Sequence, residues 1–381
     1  MKIDSTILFQ TNFKALSNYL KKNKFNKIVI ICDTNTMQFC LPILVLNVQP
    51  LTKAEIIEVA ADEESKNFET VNFILQTLFE LELNKSDLII NLGGGVITDL
   101  GGFIASIYKR GINFINIPTS LLAITDASVG GKNGINYFNL KNSVGTITQP
   151  NLTFINTIFL KTLPKDHFQN GMAEVFKIAL ILNKVFWNNL LNKSLSENEI
   201  IIKAIELKEY IVIKDPYEKG VRKILNFGHT IAHAIEMYFV KNNLIILHGY
   251  AVVVGMIIES NIAFQKKLIN KNTLNEIVTG LSTQFAINVQ LKLNYLGLSP
   301  FLLQDKKNKN GKIKMALLNG IGSCTYDVEV TKKEIEKAAK EGEFGKDEEA
   351  RYLEELQSLV NEANRDLEEM YNKKEKDVLG E

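Results

Sequence analysis

The side chains best suited to chemistry fall in a few short segments. Glu174 stands in GMAEVFK, His229 and His233 in NFGHTIAH, and His248 in LHGY. Three of the chain's four histidines therefore share one stretch of sequence. Two imidazoles and a carboxylate, with one coordination position left open, make a catalytic metal site. Zinc is the expected ion, with cobalt as the alternative. His229 and His233 are four residues apart and share a helix face. Either both bind the metal, or one binds it while the other moves protons. His167, in KDHFQN, reads as a surface residue.

A second group is built from glycine. The segment NLGGGVITDLGGF runs from an apolar strand, Leu88 to Leu92, into Gly93, Gly94 and Gly95, with a helix expected to begin near Asp99. Glycine lets a pyrophosphate approach the backbone, and a helix start offers partial positive charge. The pattern GGGxxxD is not the usual dinucleotide fingerprint. A second glycine pair, Gly130-Gly131, presents Lys132, and Lys141-Asn142 follows. Asp33 to Asn35 and the segment Glu63-Glu64-Ser65-Lys66 are candidate ribose or adenine contacts. Around these motifs stand Arg110, Lys132, Lys141, Lys177, Lys208, Arg222 and the pair Lys306-Lys307. Lys177 lies one turn after Glu174, and Arg222 and Asn226 lead into His229. Cations around a metal suit a small substrate that carries phosphate and carboxylate.

Alternating elements must position these groups. Lys27 to Cys32 reads as a buried parallel strand ending in a polar loop at Asp33-Asn35. Phe68 to Glu82 carries its apolar residues at helical spacing, and strands Leu88–Leu92 and Phe114–Ile117 follow. This alternation predicts a Rossmann-like, doubly wound α/β domain over residues 1–160. Past Pro164 the pattern turns helical, with the clearest helices at Gly171–Leu182, Glu199–Lys214, Thr230–Val240 and Ala251–Phe264. A mainly α-helical metal-binding domain is therefore expected over 161–331, with a short return hairpin at Lys312–Leu318 and Thr325–Val330. From 332 to 381 the chain is dense in Glu and Lys. Leu353, Leu356, Val360, Ala363, Leu367 and Met370 there keep the spacing of a short coiled-coil seam.

Length and charge narrow the function. The 381 residues suit two domains. A net charge of +1 argues against nucleic acid as the main partner. The three cysteines have neither metal nor disulfide spacing, so a cytoplasmic location is expected. The longest apolar stretch, Leu244 to Ile258, contains His248 and is too short to cross a bilayer, so no membrane partner is expected.

Taken together, GGGVITDLGGF, YKRGI, PTSLLAITDASVGGKNGIN, LKN, TLP, GMAEVFK, VRKILNFGHTIAHAIE, LHGYAVVVGM and DKKNKNGKI resemble the 3-dehydroquinate synthase family, from about residue 28 to 330. The resemblance implies NAD in the N-terminal domain, zinc at the cleft between domains, and a phosphorylated keto acid as substrate. It implies the conversion of 3-deoxy-D-arabino-heptulosonate 7-phosphate into 3-dehydroquinate and phosphate. The implied steps are transient oxidation by NAD, phosphate elimination, re-reduction and an intramolecular aldol closure. By motif, Glu174, His229 and His248 fall on the metal ligands, and His233 takes the proton-transfer role. NAD contacts fall on Asn35, Glu63, Lys66, Gly94, Gly95, Val96, Asp99, Thr119, Ser120, Lys132, Lys141 and Thr162. Substrate contacts fall on Asp126, Lys132, Asn142, Lys177, Lys208, Arg222, Asn226 and Lys307. Arg110 resembles an arginine that reaches the neighbouring subunit's site, which implies a homodimer.

Four positions depart from the family pattern. Tyr250 replaces the usual Glu after His-Gly, Asp62 a Gly, Ser120 a Thr, and Ala232 a Gly. None of them removes a proposed ligand or charge. Another sugar-phosphate cyclase, of the 2-deoxy-scyllo-inosose synthase type, would share nearly all these residues. A zinc-dependent polyol dehydrogenase would share fewer, and a silent homologue would act as a scaffold through its tail.

Overall fold

The structure, a computed structural model, describes residues 6–138, 140–286, 301–302 and 313–341. Lys306, Lys307 and the coiled-coil seam lie outside the described residues.

The N-terminal part is a parallel sheet clothed by helices. In chain order it contains β1 (Thr6–Phe9), α1 (Lys14–Asn23), β2 (Ile28–Asp33), α2 (Thr34–Phe39), α3 (Leu41–Asn47) and β3 (Glu55–Val59). There follow α4 (Phe68–Glu80), β4 (Leu88–Gly93), α5 (Gly95–Ile107) and β5 (Asn113–Pro118). A hairpin of β6 (Lys132–Tyr137) and β7 (Leu140–Ile147) precedes β8 (Leu152–Ile155). Six strands run parallel in the order β1-β8-β5-β4-β2-β3. The central strands are buried on both faces, so β2 and β4 read as mainly apolar runs. Ile30, Cys32, Leu88, Ile90 and Leu92 face one core with α1 and α3. Val29, Ile31 and Ile89 face the other, with α4 and α5. The chain builds outward from β2 to β3, then returns to its other side with β4. That reversal opens a crevice at the strand ends between β2 and β4, where open α/β sheets take ligands.

Helices dominate from Pro164 onward. They are α6 (Lys165–Leu182), α7 (Lys184–Leu191), α8 (Glu197–Lys214), α9 (His229–Lys241), α10 (His248–Gln265) and α11 (Lys271–Phe285). The antiparallel pair β9 (Ile313–Gly320) and β10 (Ser323–Val330) follows, and then a helix at Lys332–Glu341. α10 is buried almost from end to end, as a helix apolar on all sides must be. No described helix is long and apolar enough to cross a membrane.

Three local expectations change. The polar loop after β2 is the first turn of α2, because Asp33 accepts from Thr36 N at 2.8 Å and closes a capping box. The helix after the glycine run starts at Gly95, not near Asp99. Gly94 is its N-cap, in extended backbone, so Asp99 sits in the second turn. α6 begins six residues before the expected Gly171, because Pro164 supplies its N-cap and its first turns are exposed and polar.

Candidate active site

Glycines at helix crossings assemble the metal candidates. A Cβ on Gly249 would meet Asn170 O at 2.1 Å, and Gly249 N donates to Asn170 Oδ1 at 2.5 Å. The start of α10 therefore lies directly on α6, one turn before Glu174. A Cβ on Gly255 would meet Gly228 O at 1.9 Å, so the same helix also presses on the start of α9. Gly228 has φ +82, a conformation glycine adopts without strain. Buried Glu259 of α10 accepts from Gly228 N at 2.6 Å and Ile231 N at 3.3 Å. A carboxylate there complements the helix N-terminus that carries His229.

The result is a compact cluster. Glu174, His229 and His248 each place a ligand atom within 4.8 Å of the others. Glu174 Oε1 lies 3.4 Å from His229 Nε2 and 3.3 Å from His248 Nε2. His229 Nδ1 is turned to the Phe227 carbonyl at 3.2 Å, which leaves Nε2 facing inward. His233 lies beside this cluster, its ring 5.5 Å from that of His229 and 6.5 Å from that of His248. Of the two readings open in sequence, the geometry groups His229 with the carboxylate and sets His233 next to it.

Charge in the cluster is tightly balanced. Burial alone would raise the Glu174 carboxyl, but Lys177, its ion-pair partner, and His248 bring it down to about 2. Burial would lower His248, but Glu236 and Glu174 lift it to about 10. Burial holds His229 well below the usual imidazole range, reinforced by Lys177. The carboxylate of Glu174 is fully buried, with Oε2 paired to Lys177 and Oε1 faced by the two imidazoles. An anionic oxygen so placed, with two imidazole nitrogens beside it, fits a divalent cation.

The substrate candidates line the same region. Asp126 stands on a wide π-helical turn, Ala123–Ala127. It accepts from buried Lys208 of α8 at 2.5 Å. Arg222 is buried, with Nη2 donating to Gly130 O at 3.0 Å and Nη1 to Pro216 O at 2.6 Å. Gly130 has φ +114, and a Cβ there would meet Arg222 Nη2 at 2.5 Å, so the turn must be glycine. Lys132 pairs with Glu218, which also accepts from Asn226 Nδ2 at 2.5 Å.

The nucleotide candidates gather at the crevice. Gly94, Gly95 and Val96 form the start of α5, which no side chain caps. Those open amides fit a phosphate group. Thr119 N donates to Gly93 O at 3.0 Å, and Ser120 Oγ accepts from Ala123 N at 3.2 Å. Buried Lys66 donates to Asp99 at 2.8 Å and to Asn142 at 2.6 Å, with Glu63 at 3.9 Å. Asp62 accepts from Ser65 N at 2.6 Å and so shapes this loop. Asn35 is exposed on α2 at the end of β2, and Thr162 ends the 3-10 turn Thr157–Thr162.

Two neighbouring residues of the hairpin reach different partners. Asn142, expected at the substrate, joins the nucleotide candidates through Lys66. Lys141, expected at the nucleotide, reaches across to Glu236 at 2.8 Å. Both lie in an irregular stretch of β7, between the pairs Tyr137–Leu140 and Ile135–Val144, where Asn142 has φ +50. Arg110 stands apart, exposed on a turn beyond the C-terminus of α5. The helix is about 20 Å long, so Arg110 lies far from Gly95. Glu218, Glu236 and Glu259 were missed in sequence. Only Glu236 left a signal, since it shares the α9 face of His229 and His233 at i+7 and i+3.

Comparison with known proteins fits this geometry. Profiles described as 3-dehydroquinate synthase N-terminal and C-terminal match residues 56–170 and 171–308. The chain belongs to the 3-dehydroquinate synthase family. A family member from Campylobacter fetus subsp. fetus (strain 82-40) is 39% identical over 346 residues, covering 88% of this chain and 98% of that protein. Two solved structures carry the same α/β and helical architecture. A 2-deoxy-scyllo-inosose synthase complexed with carbaglucose-6-phosphate, NAD+ and Co2+ is 25% identical, with a TM-score of 0.78 over 88% of this chain and 96% of that one. The 2-epi-5-epi-valiolone synthase of Streptomyces hygroscopicus subsp. jinggangensis 5008, with NAD+ and Zn2+ bound, is also 25% identical, with a TM-score of 0.79 over 90% of this chain and 97% of that one.

Proposed function

We propose that this chain is a 3-dehydroquinate synthase, a phosphate-eliminating lyase that uses NAD and a divalent metal, zinc in the first instance. It converts 3-deoxy-D-arabino-heptulosonate 7-phosphate to 3-dehydroquinate and phosphate. The observation that carries the reading is the triad of Glu174, His229 and His248, whose ligand atoms lie within 4.8 Å of one another, beside buried Lys177, Lys208 and Arg222. Such a group suits a substrate with both a metal-binding hydroxyl and fixed negative charge.

When bound, the nucleotide supplies a hydride acceptor and donor, and the metal polarises the substrate hydroxyl. The residues of the chain do the rest. Glu174, His229 and His248 would hold the metal. Gly94, Gly95 and Val96 would present amides to the pyrophosphate, with Asp99, Thr119 and Ser120 around it. Lys177, Lys208, Arg222 and Asn226, with Lys132, would orient the substrate's anionic groups. Asp126 fixes Lys208, and His233 stands where it can take or return a proton. Arg110, exposed on the turn beyond the C-terminus of α5, would serve the neighbouring subunit of a homodimer. The division into a nucleotide domain over 1–160, a metal domain over 161–331 and a tail is part of the same reading.

The test is to incubate the protein with 3-deoxy-D-arabino-heptulosonate 7-phosphate, Zn2+ and trace NAD. The expected result is many equivalents of phosphate per NAD and no net NADH. Stoichiometric NADH from a polyol would establish the dehydrogenase reading instead. Turnover of glucose 6-phosphate alone would establish an inosose synthase.

A further inference from the structure

Glu236 lies where the metal candidates and the nucleotide hairpin meet. It is only 3% exposed, on the α9 face that carries His229 and His233. Its Oε1 lies 3.3 Å from His248 Nδ1 and 2.8 Å from Lys141 Nζ. Its Oε2 is buried and has no hydrogen-bond partner among the described residues. Lys141 stands on β7 beside Asn142, which bonds to Lys66 and so reaches Asp99 of α5. One carboxylate oxygen thus serves a metal-side imidazole and a nucleotide-side ammonium together.

We propose that Glu236 is a positioning residue that couples metal binding to NAD binding through Lys141. It accepts a hydrogen bond from His248 Nδ1–H, which fixes the tautomer and leaves Nε2 for the metal. A carboxylate in that place raises the basicity of the liganding imidazole. While Lys141 is paired with it, part of that negative charge is neutralised. A pyrophosphate that draws Lys141 toward the hairpin side returns the full charge to His248, and the metal is held more tightly. In the reverse direction, a bound divalent cation repels Lys141 and frees it for the nucleotide. Linkage requires the two effects to be equal in size.

This inference rests on the assignment of a metal and NAD made above, and the experiment separates the two. The Co2+ affinity of the full-length protein is measured by chelator competition, with and without saturating NAD. The wild type is expected to bind Co2+ about fivefold or more tightly with NAD present. Glu236→Gln is expected to weaken Co2+ by about tenfold without NAD and to abolish the NAD effect. Lys141→Met cuts the same link from its more exposed end and leaves the buried carboxylate in place. It is expected to bind Co2+ at least as well as the wild type without NAD, and to lose the NAD effect. A wild type that binds both ligands without mutual influence would overturn the coupling alone. So would an NAD effect that persists in Lys141→Met. A wild type that binds neither ligand would overturn the assignment as well.

Discussion

The nucleotide crevice and the metal cluster are built in opposite ways. At the crevice the groups offered are backbone amides at the start of α5, supplied by consecutive residues Gly94, Gly95 and Val96. At the metal they are side chains from three helices, Glu174, His229 and His248, joined by packing and a few buried hydrogen bonds. The first depends on local conformation. The second depends on α10 seating against α6 and α9. Changes at the crevice should therefore alter binding and spare the fold, whereas changes at the metal cluster should often do both.

The largest expected effect is at the ligands. His229→Ala should lose the metal and cut phosphate release by at least about 1,000-fold, whereas His233→Ala should keep the metal and lose about 100-fold in rate. Metal content by elemental analysis, with phosphate release, checks both. Equal metal loss in the two variants would erase the division of roles between the histidines.

Next come the glycines. Gly255→Ala places a Cβ 1.9 Å from a backbone oxygen that cannot rotate away, and should destabilise by about 1–3 kcal/mol. In Gly95→Ala the new Cβ would meet Ala127 at an ordinary 3.5 Å, so melting should change little while NAD binding weakens. Thermal melts of both proteins, with NAD titrations, test the contrast. If Gly95→Ala melts lower than Gly255→Ala, the two regions do not differ as described.

A third effect is the dependence on pH. In the metal-free protein His248 is raised from an ordinary 6.5 to about 10 by Glu236 and Glu174, against the opposing effect of burial. A raised imidazole contributes stability below 6.5 and loses it as pH climbs toward 10. The metal-free protein should therefore melt at progressively lower temperature across that range. Metal competes with the same proton, so its affinity should increase over the same interval. Melting curves at a series of pH values, with and without Zn2+, read both slopes.

The smallest effect belongs to an exposed edge of the crevice. Asn35→Ala should raise the half-saturating NAD concentration by roughly two- to tenfold, about the worth of one hydrogen bond, with no change in melting. A larger loss would mean that α2 contributes more to the crevice than one contact.

What was legible in sequence follows the same division. The strand-glycine-helix run could be read because every residue that builds it is adjacent in the chain. The start of α5 was placed late because Gly94 and Gly95 suggest a turn, although an uncapped helix start is where a phosphate needs them. Glu174, His229 and His248 stood out by residue type, and their family resemblance tied them together. Their carboxylate partners did not stand out. Glu218 lies in a polar loop like many others, and Glu259 sits inside an apolar run that hides its role as a cap for α9. The separate contacts of Lys141 and Asn142 are not legible in sequence, because they turn on an irregular stretch of β7 in which Asn142 has φ +50.

Lys177 has a further consequence, for the order of biosynthesis. Glu174 and Lys177 are made together, but His248 follows Glu174 by 74 residues. At ordinary translation rates that gap is about 4 to 15 s. Through that interval the nascent carboxylate has a counter-charge three residues away, and the first imidazole of the cluster, His229, follows only 55 residues later. The lysine is thus a counter-charge before it is a wall of the finished pocket, and metal capture becomes a marker that α10 has docked on α6 and α9.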